Sequence, residues 1–477
     1  MSLLLLTTLM NPAQACGGFF CDQGQPVIQN AERVVFAIDE QAQEVEAHVQ
    51  IFYQGDAEDF AWIVPIPSEP VIFESTQALF DTLAIQTLPT FSMRTVDEGN
   101  CREPMNVAIG GSKEASMAFD SATSTTGSVT VVGEQEVGPY DTVTLKAQST
   151  DALLTWLLDN DYDIPAELEP LLEPYVSEDA HFLALKLQSD RSAGDIAPIA
   201  FRYPGDRASL PIQLTSVAAA PDTRLEIYVF ADARATPESY LHVQLNDAAI
   251  DWWSNGSNYN DLISRAADEA GGHAFATDFS GNPDAFRGLV ESQAQFSDPD
   301  ASDAAIDDAE RLFSAFGHLT RMTSSLDAAE MTVDPVFVQN ADLSPQRVSV
   351  SRSADLVYEC TGGKRRSKAI RRLELESGLS LLLPSEQWMA EFGYSEYEFL
   401  EDFHDINALQ IEETEATLAA AVMVDHLPEL KTRADAHNEW VRSLMNGCGG
   451  CSASSPAPVG GLLLGLGALV GLRRRQR

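Results

Sequence analysis

Positive charge is scarce in this chain. Thirty Lys and Arg stand against 72 Asp and Glu in 477 residues, a formal charge of −42. That field repels phosphate backbones and anionic headgroups, which excludes nucleic acid as a partner. Histidine is sparse too. The eight His are scattered, none with a partner at metal-ligand spacing, so no metal or cofactor is expected. No Gly-x-Ser-x-Gly, His-Glu-x-x-His or phosphate-cradling glycine loop occurs, so no catalytic residue is proposed, although missing motifs do not exclude an enzyme. Long greasy runs are scarce as well. The C-terminal one is expected as a short transmembrane helix held temporarily during export, with a permanent single-span anchor as the alternative. The longest greasy run near the C-terminus, Val459 to Leu472, holds 14 residues without a charge. As a helix it reaches about 21 Å, against a hydrocarbon core of about 30 Å.

What is present supports a folded body. Hydrophobic residues make up 44% and charged residues 21%, enough to bury a sizeable core. The acidity reads as a solubilising surface, with a cation-collecting surface as the alternative.

The front, MSLLLLTTLMNPAQACGGFFC, has a short apolar run, a break at Asn11-Pro12 and small residues at Ala13 and Ala15. This is the pattern of a cleaved secretory signal, with Cys16 as the first mature residue. No Lys or Arg precedes the run, the expectation for a start codon placed too late. A lipoprotein signal, with Cys16 as the lipidated residue, is the alternative reading.

Six cysteines suit an oxidising compartment. Disulfides Cys16–Cys21 and Cys101–Cys360 are expected, although four cysteines admit three pairings. Cys448 and Cys451 belong to the tail, where a redox or zinc pair is the alternative reading.

In that tail, NGCGGCSASSPAPVGGLLLGLGALVGLRRRQR, a Cys-containing stretch of small residues leads into a Leu/Gly segment. Arg473, Arg474, Arg475 and Arg477 close it. The arginines favour the cytoplasmic side, which puts the body outside. The three-part order resembles the C-terminal sorting signal of myxobacteria and their relatives. The resemblance implies a membrane protease cutting near a cysteine and delivery to the cell surface. The spacing Cys448-Gly-Gly-Cys451 departs from the tighter Cys-x-Cys of that signal and leaves open which cysteine is used.

Between the ends, strand patterns dominate first. In EVEAHVQIFY, Val45, Ala47, Val49, Ile51 and Tyr53 alternate with Glu44, Glu46, His48 and Gln50. With RVVFAID this predicts a hairpin across Asp39 to Gln43, its polar face, His48 included, in solvent. FAWIVPIP, SVTVVGEQEVGPYDTVTLKA, HFLALKLQ, PIAFRY, LPIQLTSVAA and TRLEIYVFAD predict further strands. Thr76 to Leu83, TDALLTWLLDN and Ala166 to Val176 predict helices, and residues 108–127 a loop. Beyond about residue 250 the pattern turns helical, with Ile306, Ala309, Leu312, Phe313 and Phe316 on one face and ELKTRADAHNEWVRSLM as a closing helix. The fold class is α+β, an antiparallel β-rich N-terminal half followed by a more helical C-terminal half. The organisation is a signal at 1–15, a β-rich body at 16–250, a more helical region at 251–445 and a sorting signal at 446–477.

The motifs CGGFFC, FAWIVPIP, VGPYD, LLEPYV and YPGD, in this order, resemble the bacterial exported family called domain of unknown function 2330. That resemblance implies secreted or envelope proteins, often with sorting tails, and supplies no catalytic residue.

Two charged stretches carry candidate chemistry. In DPDASDAAIDDAE, Asp298, Asp300 and Ser302 hold the first, third and fifth places of an EF-hand, but Asp303 and Ala309 replace its Gly and Glu. A helix start explains that acidity without an ion. The basic run Lys364, Arg365, Arg366, Lys368, Arg371 and Arg372 is expected to pair with the chain's own acids, or else to dock on an anionic envelope polymer. His404-Asp405 and Asp425-His426 are sequence neighbours and rarely face each other productively.

The function expected is that of an exported protein at the cell surface or outer envelope, or released from it. It would bind or build rather than catalyse. Its partners would be the export and C-terminal processing machinery, the membrane through the tail before processing, and an envelope polymer or surface ligand. An extracellular hydrolase and a calcium-dependent adhesin are the alternatives.

Overall fold

The computed structural model describes residues 19–20, 28–54, 61–99, 101, 130–160, 162, 168–177, 180–188, 196–341, 351–360, 366–404, 408–413 and 423–447. Among these, ten strands form one mixed sheet. Its order is Met423–Asp425, Leu409–Glu413, Leu241–Leu245, Ala274–Gly281, His318–Leu326, Ala219–Ala231, Ile28–Asp39, Glu44–Gln54, Ile199–Pro204, Val71–Glu74. Ala219–Ala231 runs parallel to Ile28–Asp39, and Leu241–Leu245 parallel to Ala274–Gly281; the other neighbours are antiparallel. The predicted hairpin forms, with Val34 opposite Val49 and Phe36 opposite Ala47. The sheet draws strands from both sides of residue 250.

A second, antiparallel sheet stacks on one face of the first. It holds Phe19–Phe20, Ala61–Ile66, His181–Leu187, Tyr140–Lys146 and Thr130–Val137. Alternation places Trp62, Val64, Ile66, Leu183 and Leu185 against Val34, Phe36, Val49, Phe201 and Ile227 in one apolar layer. The outer face of the second sheet, through Ile63, Phe182 and Ala184, buries Leu153, Trp156 and Leu157 of the helix Thr150–Asp159.

The other face of the large sheet lies under three helices: Gln77–Thr87, Leu289–Ser297 and Asp303–Ala315. Leu79, Phe80, Val290, Leu312 and Phe313 pack there on Val35, Tyr228 and Phe230. The C-terminal half adds three strands, Ser351–Cys360, Ile370–Glu374 and Ser380–Leu383, which form a four-stranded sheet with Thr90–Gly99, and the helices Glu386–Phe392, Glu396–His404 and Leu427–Gly447 pack around it. The class is α+β with a strand-rich N-terminal half, and the longest helix is the closing one.

Two local expectations change. LPIQLTSVAA forms the short helix Ile212–Thr215, and the strand begins only at Ala219. Pro211 stands just before the first helical position, where its missing N–H costs nothing, and Ser216 closes the turn onto the Ile212 carbonyl at 2.9 Å. The helix expected from Ala166 to Val176 is, where described, the pieces Glu169–Leu172 and Glu173–Tyr175, each opened by a proline. Residues 108–127 lie outside the described residues.

No helix among the described residues is long and apolar enough to cross a membrane.

Candidate functional site

Between the two sheets the packing leaves a cavity of about 320 Å³. Its origin is legible in the register. Ala47 is flanked across the sheet by Phe36 on one side and Phe201 on the other. One small residue between two rings leaves a hollow that Trp62, Val64 and Ile66 of the facing sheet roof over. Pro65, Pro67 and Pro211 line it with stiff backbone.

Two carboxylates line this mostly apolar space. Glu32 is 3% exposed and lies two residues before Val34 on the same strand face; one of its oxygens accepts from the Thr215 hydroxyl at 3.4 Å. Asp334 accepts from the Tyr175 hydroxyl and, at 3.0 Å, from the Gln213 amide. Burial pushes the Asp334 carboxyl up despite these donors. Burial, and then the charge of Asp334, pushes the Tyr175 phenol up, so Tyr175 keeps its proton and donates. Among the described residues that line the cavity, none is Lys, Arg or His.

The motifs separated along the chain meet here. FAWIVPIP supplies Trp62 and Val64 through Pro67, LLEPYV supplies Tyr175, and YPGD supplies Tyr203. Tyr140 of VGPYD lies in the same apolar layer, its hydroxyl donating to the Ala197 carbonyl at 2.7 Å. Phe19 of CGGFFC pairs with Trp62 at the sheet edge.

On the opposite face of the large sheet lies a polar constellation the alternation pattern misread. His48, expected in solvent, is 1% exposed, and Glu46 beside it 4%. The helices Gln77–Thr87 and Asp303–Ala315 roof this face, so a polar strand face became an interior one. Ser75, between the strand Val71–Glu74 and the helix Gln77–Thr87, sits 2.8 Å from His48 Nδ1; His48 Nε2 sits 2.9 Å from a Glu46 oxygen. Arg202 donates to Glu46 at 2.5 Å, and Arg311 donates to it at 2.6 Å. Burial alone would raise the Glu46 carboxyl, but His48, Arg311 and Arg202 together hold it at about 2.

With Glu46 ionised, the geometry lets His48 donate to it through Nε2 while Nδ1 faces the Ser75 hydroxyl. That is the order of groups in a hydrolytic relay. The nearby helix amide is taken, however: Gln77 N–H donates to Asp298 at 2.7 Å. The signal available in the sequence was opposite charge on neighbouring strands. Arg202 lies across from Glu46, and Arg33 across from Glu226.

The remaining candidates separate. Cys101 and Cys360 lie at disulfide distance, Cα atoms 5.6 Å apart. Asp97 is near enough to form a three-ligand group with them. Paired sulfurs offer no thiolate, and Asp97 faces Arg366 at 3.4 Å. Ala15, Cys16, Cys21, Cys448, Cys451, Arg473, Arg474 and Arg475 lie outside the described residues. So do Lys364, Arg365 and Asp405. The described part of the basic run meets acids: Arg371 contacts Glu396 at 2.7 Å, and Arg372 contacts Glu98 at 3.0 Å as well as Glu359 and Glu374. In the acidic stretch, Asp298 binds the start of the helix Gln77–Thr87, the Ser302 hydroxyl caps the helix Asp303–Ala315, and Glu310 accepts from the Gly288 and Glu291 amides.

A family model described as an uncharacterized protein conserved in bacteria, DUF2330, matches residues 11–337. No curated protein and no solved structure matches the chain.

Proposed function

The chain belongs to DUF2330, a family of uncharacterized proteins conserved in bacteria, and from that premise we propose an exported, envelope-associated protein that works by binding a small, largely apolar molecule between its two sheets. The observation that carries the binding half is the cavity built where FAWIVPIP, LLEPYV and YPGD converge. Its volume lies at the small end of ligand sites, and apolar walls with a few polar groups are the usual composition of such sites. The export half rests on the two ends of the sequence: a leader ending at Ala15 and a tail of cysteines, a greasy run and arginines. Delivery to the cell surface, processing near Cys448 or Cys451 and an envelope ligand belong to the same proposal.

The binding test is titration with the neutral apolar dye N-phenyl-1-naphthylamine. Saturable 1:1 binding is expected in the wild type and loss of it in Ala47→Phe, which fills the hollow while urea denaturation checks that the fold persists. A dye that does not saturate, or that binds the filled variant equally, overturns the reading. For export, intact mass of the native protein should begin at Cys16; cytosolic protein with both ends intact would refute it.

A hydrolase is the second reading, favoured by the Ser75–His48–Glu46 relay. Ser75 is only 9% exposed. Labelling of Ser75 by a fluorophosphonate, lost in His48→Ala, would support this reading; an unlabelled wild type ends it.

A further inference from the structure

We infer that the molecule held between the sheets is an apolar alcohol, its body in the hollow beside Ala47 and its hydroxyl donating to Asp334. This deepens the binding proposal above and rests on it.

The walls of the cavity fall into two unlike groups. Val34, Phe36, Ala47 and Val49 of the large sheet, with Trp62 and Val64 of the facing sheet, are buried and apolar. Tyr175, Ser177, Ser209 and Asp334 form the polar group. They belong together in space. Tyr175 hydrogen-bonds Asp334, Ser177 follows Tyr175 by two residues, and Ser209 lies across from Val336, two residues after Asp334. Ser177 and Ser209 are exposed, and Tyr175 and Asp334 half-buried, so water reaches this group first. An amphipathic ligand therefore seats its apolar body among the first group and its polar head at the second.

The Asp334 carboxylate is set in place from two sides. One oxygen accepts from the hydroxyl of Tyr175, which ends the helical turn Glu173–Tyr175. The other accepts at 3.0 Å from the Gln213 amide, inside the helix Ile212–Thr215. Each carboxylate oxygen carries two lone pairs, so each can take one further donor. A donor arriving from the cavity meets an acceptor already oriented, which lowers the ordering cost of that bond. Glu32, the other acid on the walls, is the deeper one at 3% exposure and is engaged by the Thr215 hydroxyl. A hydroxyl suits the Asp334 position because, being neutral, it leaves water at less cost than an ammonium. The volume of about 320 Å³ accepts a compact ring or branched chain and excludes a folded peptide.

The test displaces the naphthylamine dye with phenethyl alcohol, its methyl ether and propylbenzene. Affinity ratios are taken within each variant, so a general change in pocket affinity cancels. The alcohol should bind the wild type more tightly than the ether, which keeps the oxygen but has no proton to donate. Its affinity relative to propylbenzene should fall roughly tenfold in Asp334→Ala. Asp334→Asn, which keeps one acceptor oxygen, should recover part of that ratio. An ether bound as tightly as the alcohol, or an unchanged ratio in Asp334→Ala, overturns the inference and leaves the apolar pocket standing. So does a ratio that falls only in Glu32→Gln, which would move the contact to the other acid. Failure of the dye itself to bind the wild type overturns the binding proposal beneath it.

Discussion

His48 and Glu46 stand two residues apart on one strand, and His48 Nε2 lies 2.9 Å from a Glu46 oxygen under a helical roof. Arg311 reaches the same carboxylate from the helix Asp303–Ala315, and Arg202 from the neighbouring strand. One buried anion therefore fastens a strand, its neighbour and a helix to each other.

This fastening should give a pH signature. The Glu46 carboxyl ordinarily titrates near 4.5 and is held at about 2 in the fold. A depressed folded value means the stabilisation is complete above the ordinary value and is lost as pH falls toward 2. Glu46→Gln should cost roughly 3 kcal/mol at neutral pH. The gap between variant and wild type should close between about pH 4.5 and 2, as read by urea denaturation across that range. A gap independent of pH would contradict the assignment.

Arg321 is fully buried, 3.4 Å from both Asp278 and Glu226, with the Tyr228 ring 5.5 Å away. Thr323 and Tyr259 complete the shell of Asp278. Arg321→Ala should lower stability by about 3–5 kcal/mol, because two buried carboxylates lose their shared cation. Arg321→Lys should recover only part, since one ammonium does not span both acids. Equilibrium denaturation of the two variants measures the difference.

Cys101 and Cys360 tie the ends of the parallel strands Thr90–Gly99 and Ser351–Cys360, across 259 residues of sequence. A peptide pair joined through these residues should appear in non-reducing mass spectrometry, and reduction or Cys360→Ser should cost about 2–5 kcal/mol. Free alkylation of both thiols without reductant would refute the bond. Next to it, Gly99 has φ +90° and a Cβ there would lie 2.0 Å from the Cys360 carbonyl oxygen. Gly99→Ala should therefore lower the melting temperature even with the cysteines intact.

Asp298 accepts from the Thr76 hydroxyl at 2.5 Å and from the Gln77 amide at 2.7 Å, so it is committed to a helix start. Asp298→Ala should destabilise by about 1–2 kcal/mol through the lost cap. Millimolar calcium should leave the melting temperature of the wild type unchanged. A rise with calcium would instead favour the adhesin reading.

The sequence by itself determined the local elements. Period-two alternation set the hairpin Ile28–Asp39 and Glu44–Gln54, and apolar spacing behind Ser302 set the helix Asp303–Ala315. Only the tertiary structure decided which faces are interior. A strand pattern distinguishes two faces but cannot state whether the polar one meets water or helices, and so His48 looked exposed. Nor could it place Ala47 between Phe36 and Phe201, because that gap depends on the hairpin pairing with Ile199–Pro204, a strand distant in sequence. The cavity and the buried ion clusters are products of long-range pairing, which periodicity along one segment does not encode.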